Sequence, residues 1–140
     1  KSIVEIGLIG KYVELQDSYK SISEALIHAS ATNETKVNIR WIHSEDLSSE
    51  NISKQLEGLN GILVAPGFGD RRIEGNIKAV QYARENNIPF FGICLGMQMA
   101  VVEFSRNILG YQDASSTEMD KNCAHPVINL MEDQKDVTKK

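Results

Sequence analysis

The segment Gly92-Ile93-Cys94-Leu95-Gly96-Met97-Gln98 has residue types and a spacing that suit covalent chemistry. Cys94 stands between a short apolar run and a longer apolar stretch, with a glycine two positions away on either side. A strand that turns sharply into a helix needs small residues at such places. The turn lifts the sulfur above the C-terminal edge of a sheet, where open α/β sheets place their ligands. At a helix N-terminus the positive end of the dipole favours a thiolate over a thiol. The backbone N–H of Leu95, next after the nucleophile, can point at a developing oxyanion. A lone cysteine at a strand end is by default buried and inert; the paired glycines and the strand–helix junction favour the nucleophile.

A second segment, Pro66-Gly67-Phe68-Gly69, follows the preceding apolar run. If the two runs are neighbouring parallel strands, this loop lies beside Cys94. Pro66 has no N–H, so the next donor is Gly67, which is expected to share the oxyanion with Leu95. Taken alone, Gly-Phe-Gly reads as an ordinary turn, and it lacks the Gly-Lys-Ser/Thr ending of a phosphate-binding loop. Beside Cys94 the oxyanion role leads, with Phe68, Gly92 and Gly96 as supporting turn residues. Gln98 lies one helical turn past Cys94 on the same face; its residue type alone divides evenly between a ligand and a polar residue on an apolar helix.

These residues must be held by the elements around them. Residues 3–9 are short, β-branched and closed by Gly10, which predicts a buried strand. Asp17 or Ser18 is expected to cap a helix that carries Tyr19, Ile22, Leu26 and Ala29 on one face and fades near 31–33. Val37, Ile39 and Trp41 alternate with polar neighbours as a second strand, and 46–57 is polar and weakly helical. Residues 61–65 make a third strand, stopped by Pro66. Ile73, Ile77, Val80 and the stem of Arg84 line a helix ending near Asn86-Asn87. Residues 89–93 make a fourth strand, and 95–108 a strongly apolar helix bounded by Gly110. This alternation predicts an α/β fold, an open, mostly parallel sheet with helices on both faces. The near-continuous apolar strands predict a sheet covered on both sides. Residues 111–140 are weakly patterned, with one short apolar run at 127–131, and the charged tail 132–140 reads as mobile.

The chain has 140 residues, 41% hydrophobic and 24% charged, which suits one globular domain over 1–140. Its formal net charge of −4 and lack of a basic run disfavour a nucleic-acid surface. Cys94 and Cys123 make no zinc-type spacing, so no metal site is expected. Without a secretory segment they are expected to stay thiols. The apolar stretches are strand-length, which excludes a spanning helix and makes the cytoplasm the default compartment.

The run Gly92 to Gln98 resembles the nucleophile motif of class I glutamine amidotransferases, and Pro66 to Gly69 resembles their oxyanion loop. The resemblance narrows through Gly10-Lys11-Tyr12, Asp17-Ser18-Tyr19, residues 67–75, residues 82–90, residues 94–107, Ser116-Thr117-Glu118 and His125-Pro126-Val127. In this order they are similar to the glutaminase domain of CTP synthases over nearly the whole chain. The resemblance implies a flavodoxin-like amidotransferase fold. It also implies hydrolysis of L-glutamine through a cysteine thioester, with ammonia passed through a tunnel to a synthase domain of the same parent protein. That domain uses ATP and Mg2+ to convert UTP to CTP, with GTP as effector, in a homo-oligomeric parent; no cofactor is implied for the glutaminase domain itself. Carried over by motif, Cys94 is the nucleophile, Gly67 and Leu95 stabilise the oxyanion, and Gln98 and Glu118 bind glutamine. A carboxylate at Glu118 suits the α-ammonium of glutamine.

The chain departs from the family in three places. Ala65-Pro66-Gly67-Phe68-Gly69 stands where these enzymes often have Pro-Gly-Gly-Phe-Gly. Arg72 stands where glycine is common, and would be strained if that position needs a positive φ. A cysteine nucleophile also needs a base, usually a histidine held by a carboxylate. The family supplies it as His-x-Glu well downstream, and none of His28, His43 and His125 begins such a motif. His125 matches the family's His-Pro-Val, which is not catalytic. The expectation is a domain cut before its base, and before the arginine that helps to hold the glutamine carboxylate. Such a chain would be a poor glutaminase alone. Two other readings are the glutaminase domain of another class I amidotransferase, and a non-catalytic regulatory relative that keeps the fold.

Overall fold

The computed structural model describes residues 2–67 and 73–134. Its core is a parallel sheet of β1 (Ser2–Gly10), β2 (Thr35–His43), β3 (Gly61–Val64) and β4 (Phe90–Gly92), in the order β2-β1-β3-β4. The helices are α1 (Lys20–Thr32), α2 (Ile52–Gln55), α3 (Ile73–Glu85) and α4 (Leu95–Asn107). Two further short strands, β5 (Ala114–Ser116) and β6 (His125–Ile128), pair with each other. Every strand pairing is parallel.

Alternation along the strands divides the core into two layers. Leu8 is level with Leu63, and both pack with Tyr19 and Ala65 on the face that carries α1. Ile9 is level with Val64, and both face the other way, with Ile62, Ala79 and Ala83. A third cluster, Ile73, Ile77, Leu95, Met99 and Val102, joins α3 to α4, and Val127 and Ile128 of β6 lean on it.

Two expectations are corrected. Neither Asp17 nor Ser18 caps α1. They lie in a 3-10 turn, Gln16–Tyr19, and the helix starts after Tyr19 with no side-chain cap. Packing decides the matter: the Tyr19 ring is buried and its hydroxyl accepts from the N–H groups of Lys11 and Tyr12, each at 3.1 Å. The helix face predicted there is also shallow, with Ala29 exposed. Nor is the sheet covered everywhere. Phe91 is level with Leu63 on the α1 face, yet remains 62% exposed, beside an apolar cavity of about 220 Å³ that it shares with Ile6, Leu26 and Leu63. Helix α1 packs over β2, at the opposite edge of the sheet from β4.

A charged pair fastens α3 to α4. Glu103 is fully buried, and its Oε1 accepts from Arg84 Nε at 2.5 Å. Its Oε2 receives Asn107 Nδ2 and a second contact from Arg84 Nε, both at 3.3 Å. A buried carboxylate left without its cation is costly, whereas a packed apolar replacement of both partners is often tolerated. Arg84→Met is therefore expected to lower unfolding free energy by about 2–3 kcal/mol, below the full range for a buried pair because Arg84 is partly exposed. Arg84→Met with Glu103→Leu should recover most of the loss. Urea titration of wild type, single and double variants checks this; equal losses in single and double would contradict it.

Candidate active site

Cys94 occupies the junction between β4 and α4, and its backbone is held at φ 55°, ψ −105°. That conformation is rare for a residue with a β-carbon, and close packing enforces it. Gly92 is level with Val64 of β3. A β-carbon on Gly92 would lie 2.5 Å from the Gly96 carbonyl carbon, and one on Gly96 only 2.3 Å from the Val64 carbonyl oxygen. The first turn of α4 thus rests directly on the ends of β3 and β4. The expected supporting roles of Gly92 and Gly96 have a concrete form: neither site has room for a side chain.

The turn leaves the thiol exposed. Gly96 N–H bonds the Ile93 carbonyl at 3.0 Å and Gln98 N–H bonds the Cys94 carbonyl at 3.1 Å. Leu95 is the first helical residue, so its N–H has no acceptor within the helix. Gly67 follows β3 as Cys94 follows β4, and a β-carbon on it would lie 3.5 Å from Leu95 Cδ2. Gly67 therefore stands beside the Leu95 side chain in the first turn of α4, which Cys94 precedes. Phe68, Gly69 and Arg72 lie outside the described residues.

Gln98 and Glu118 also meet. They line one cavity of about 390 Å³ with Thr117, Lys121, Ile128 and Asn129. Gln98 is one helical turn from Cys94, about 6 Å along the axis, so one wall of the cavity belongs to the same first turns of α4 as the thiol. A more voluminous cleft of about 710 Å³ lies between α2 and α3, lined by Ser53, Lys54, Lys78, Gln81, Tyr82 and Glu85 among others. It has none of the expected site residues, whereas the smaller cavity has two of them, Gln98 and Glu118.

Glu118 and Lys121 are carried by the connection from β5 to β6. That connection is shorter than the dozen or so residues a parallel crossover usually needs, and side chains secure it. Buried Ser116 Oγ accepts from Glu118 N–H at 3.2 Å, Thr117 N–H bonds the Ile128 carbonyl at 2.9 Å, and Thr117 Oγ1 bonds Asn129 Oδ1 at 2.9 Å. At the start of β6, His125 Nδ1 bonds Asp113 Oδ1, Ala124 N–H donates to Asp113 Oδ2 at 3.1 Å, and the Tyr111 ring stacks on His125 at 4.4 Å. Sequence reasoning missed Asp113, Lys121 and Asn129; only their closeness to Glu118 in the chain could have hinted at them.

No hydrogen bond among the described residues joins a histidine to Cys94. His125 is occupied by Asp113. His43 ends β2, on the far side of β1 and β3 from β4, where its Nδ1 accepts from Glu45 N–H at 3.2 Å. His28 is exposed on α1.

Two predictions arise here. Gly96→Ala must push a β-carbon into backbone and should destabilise by about 2 kcal/mol or more, whereas Gly67→Ala, with ordinary contact distances, should stay within about 0.5 kcal/mol. Chemical unfolding compares them, and similar values would contradict the packing argument. The second concerns pH. The hydrogen bond from His125 holds the Asp113 carboxyl below the usual carboxylate range. A carboxyl depressed on folding adds its full increment of stability above its unfolded pKa of about 3.9, and the increment is lost as pH falls through the lower folded value. Wild type should lose that increment below about pH 4, and Asp113→Asn should lack it at every pH, as read from unfolding midpoints across an acid series.

Comparison with known proteins agrees with this geometry. The family model described as "Glutamine amidotransferase class-I" matches residues 14–139. A CTP synthase of Flavobacterium psychrophilum is 71% identical over all of this chain, which spans 26% of that protein. One of Methanocaldococcus jannaschii is 57% identical over 98% of this chain and 26% of its own. Among solved structures, the glutaminase domain of the Trypanosoma brucei CTPS, with bound acivicin, superposes with a TM-score of 0.87 at 39% identity, over 94% of this chain and 51% of that one. The chain thus spans about a quarter of the length of the curated relatives it matches. The fold, the strand–helix junction at Cys94 and the family match together establish that this chain belongs to the class I glutamine amidotransferases, on the side of the glutaminase domains of CTP synthases.

Proposed function

We propose that this chain hydrolyses L-glutamine for a CTP synthase, with Cys94 as nucleophile. The observation that carries the reading is the strained, exposed Cys94 one helical turn from a cavity shared by Gln98 and Glu118. In glutamine the amide carbon is three bonds from the α-carbon, about 4 Å by standard C–C lengths. A head group held at Glu118 and Gln98 can thus present its amide carbon toward the sulfur.

The Cys94 thiolate adds to the amide carbon, and the oxygen takes up negative charge. Leu95 N–H and Gly67 N–H receive it; donors fixed before the reaction cost no reorganisation in the transition state. The C–N bond then breaks, ammonia leaves with a proton from the base, and the acyl group remains on sulfur. Water adds to this thioester through the same oxyanion geometry and releases glutamate and the thiol. No hydrogen bond among the described residues joins a histidine to Cys94, which supports a base supplied by another part of the parent protein.

The chain's length relative to its relatives supports a parent with a synthase domain. In that parent ammonia would aminate UTP to CTP at the expense of ATP with Mg2+, under GTP control, in a cytoplasmic homo-oligomer. No helix among the described residues is long and apolar enough to cross a membrane.

Ammonia release from L-glutamine tests the reading. The full-length protein that carries this chain should release ammonia, Cys94→Ala should reduce release to background, and acivicin should block it. The 140-residue chain alone should release little. Release that survives Cys94→Ala would refute the nucleophile; strong release from the 140-residue chain would refute the external base.

A further inference from the structure

The connection that carries Glu118 has a weak backbone frame. Strands β5 and β6 pair at three positions, with a register shift between Ser115 and Ser116. Pro126, level with Ser115, has no N–H to give to the ladder. A bulge and a proline in so short a pair leave the register to side chains. One carboxylate supplies what the ladder lacks. Asp113 stands just before β5; its Oδ1 bonds His125 Nδ1, and its Oδ2 accepts from Ala124 N–H at 3.1 Å. Both oxygens thus reach the residues at which β6 begins. The Tyr111 ring stacks on the His125 ring with 10° between their planes. The segment that bears the carboxylate is itself moored to α4. Tyr111 N–H bonds the Ser105 carbonyl at 2.9 Å, Ala114 N–H bonds the Tyr111 carbonyl at 2.8 Å, and Arg106 Nε donates to the Ala114 carbonyl at 2.7 Å.

Helix α4 also carries Gln98, which lines the same cavity as Glu118. Ser116 Oγ and the Thr117 N–H fasten the near end of the connection, and Asp113 fastens its far end. We propose that Asp113 and His125 are positioning residues for glutamine: their clamp across the base of the connection holds Glu118 at its spacing from Gln98. This assignment rests on the glutaminase reading and deepens it. Both residues act through Glu118, and neither lines its cavity. A half-exposed pair of this kind contributes little to overall stability. Its effect lies in where the connection sits, so it is read chiefly in substrate binding.

Steady-state hydrolysis and inactivation of the full-length protein test it. Asp113→Ala should raise KM for L-glutamine about fivefold, as for one misplaced contact, with kcat within about twofold of wild type. Asp113→Asn should recover most of the loss, because its amide can accept from Ala124 N–H and donate to the imidazole. His125→Phe can keep the stack on Tyr111 but not the bond; it should raise KM as Asp113→Ala does, and gives the same comparison should Asp113→Ala fail to fold. Inactivation separates position from mere structure. Acivicin, which has an amino-acid head group, should inactivate Asp113→Ala about fivefold more slowly than wild type at low concentration. Iodoacetamide, which has no such head group, should alkylate Cys94 at the wild-type rate. If KM is unchanged in Asp113→Ala and His125→Phe, or if both reagents slow equally, the positioning role is overturned while Cys94-dependent hydrolysis stands. If wild type shows no Cys94-dependent hydrolysis, the glutaminase reading falls first and this assignment falls with it.

Discussion

Between the last residue of β3 and the first turn of α4 there is no room for a β-carbon, and the geometry of the site depends on that contact. Gly96 lies on the Val64 carbonyl and Gly92 lies under Gly96. The chain must leave β4 and enter α4 within a couple of residues, and Cys94 absorbs the turn at φ 55°. Holding a residue in such a conformation costs about 1–3 kcal/mol. The packing of α4 outweighs this: Met99 and Val102 are fully buried, and burying such a side chain contributes about 1.5–3 kcal/mol. The strain persists because the helix is anchored by its middle, so its N-terminus has no freedom to relax.

The same anchoring explains how the two halves of the site keep their spacing. Cys94, Leu95 and Gln98 belong to α4, whereas Glu118 and Lys121 belong to the connection from β5 to β6. That connection has little core of its own. It is tied to α4 by Val127 and Ile128 against the α3–α4 cluster, and by Arg106 Nε bonding the Ala114 carbonyl at 2.7 Å. Arg106 Nη1 also reaches Glu74 of α3 at 3.0 Å. Helix α4 therefore serves as the common reference for Cys94, Leu95 and Gln98 and for the strands on either side of Glu118.

The strands and helices up to Asn107 were legible because their signals are local. β-Branched runs closed by glycine or proline, and apolar residues at helical spacing, depend on near neighbours. The turn at Cys94 was legible for a related reason, since Gly92 and Gly96 report a steric demand within a few residues of it. The start of α1 was misread because Tyr19 is fixed by a buried ring and by amides that precede the helix, and a capping rule sees neither. Strands β5 and β6 escaped because each is very short and their pairing is secured by Asp113, His125 and Thr117 across the chain.

The placement of the two proposed oxyanion donors also constrains where a base can stand. Gly67 approaches Leu95 from the β3 side, and the Leu95 N–H opens the helix α4. Among the described residues the other side of β4 is a free sheet edge. Phe91 on that strand is exposed, as are Met97, Val101 and Phe104 on one flank of α4. These apolar side chains recur at the spacing of a buried helix face, yet water meets them. On the proposed mechanism the proton acceptor must reach the sulfur without displacing either oxyanion donor, which leaves the open edge of β4 as its approach.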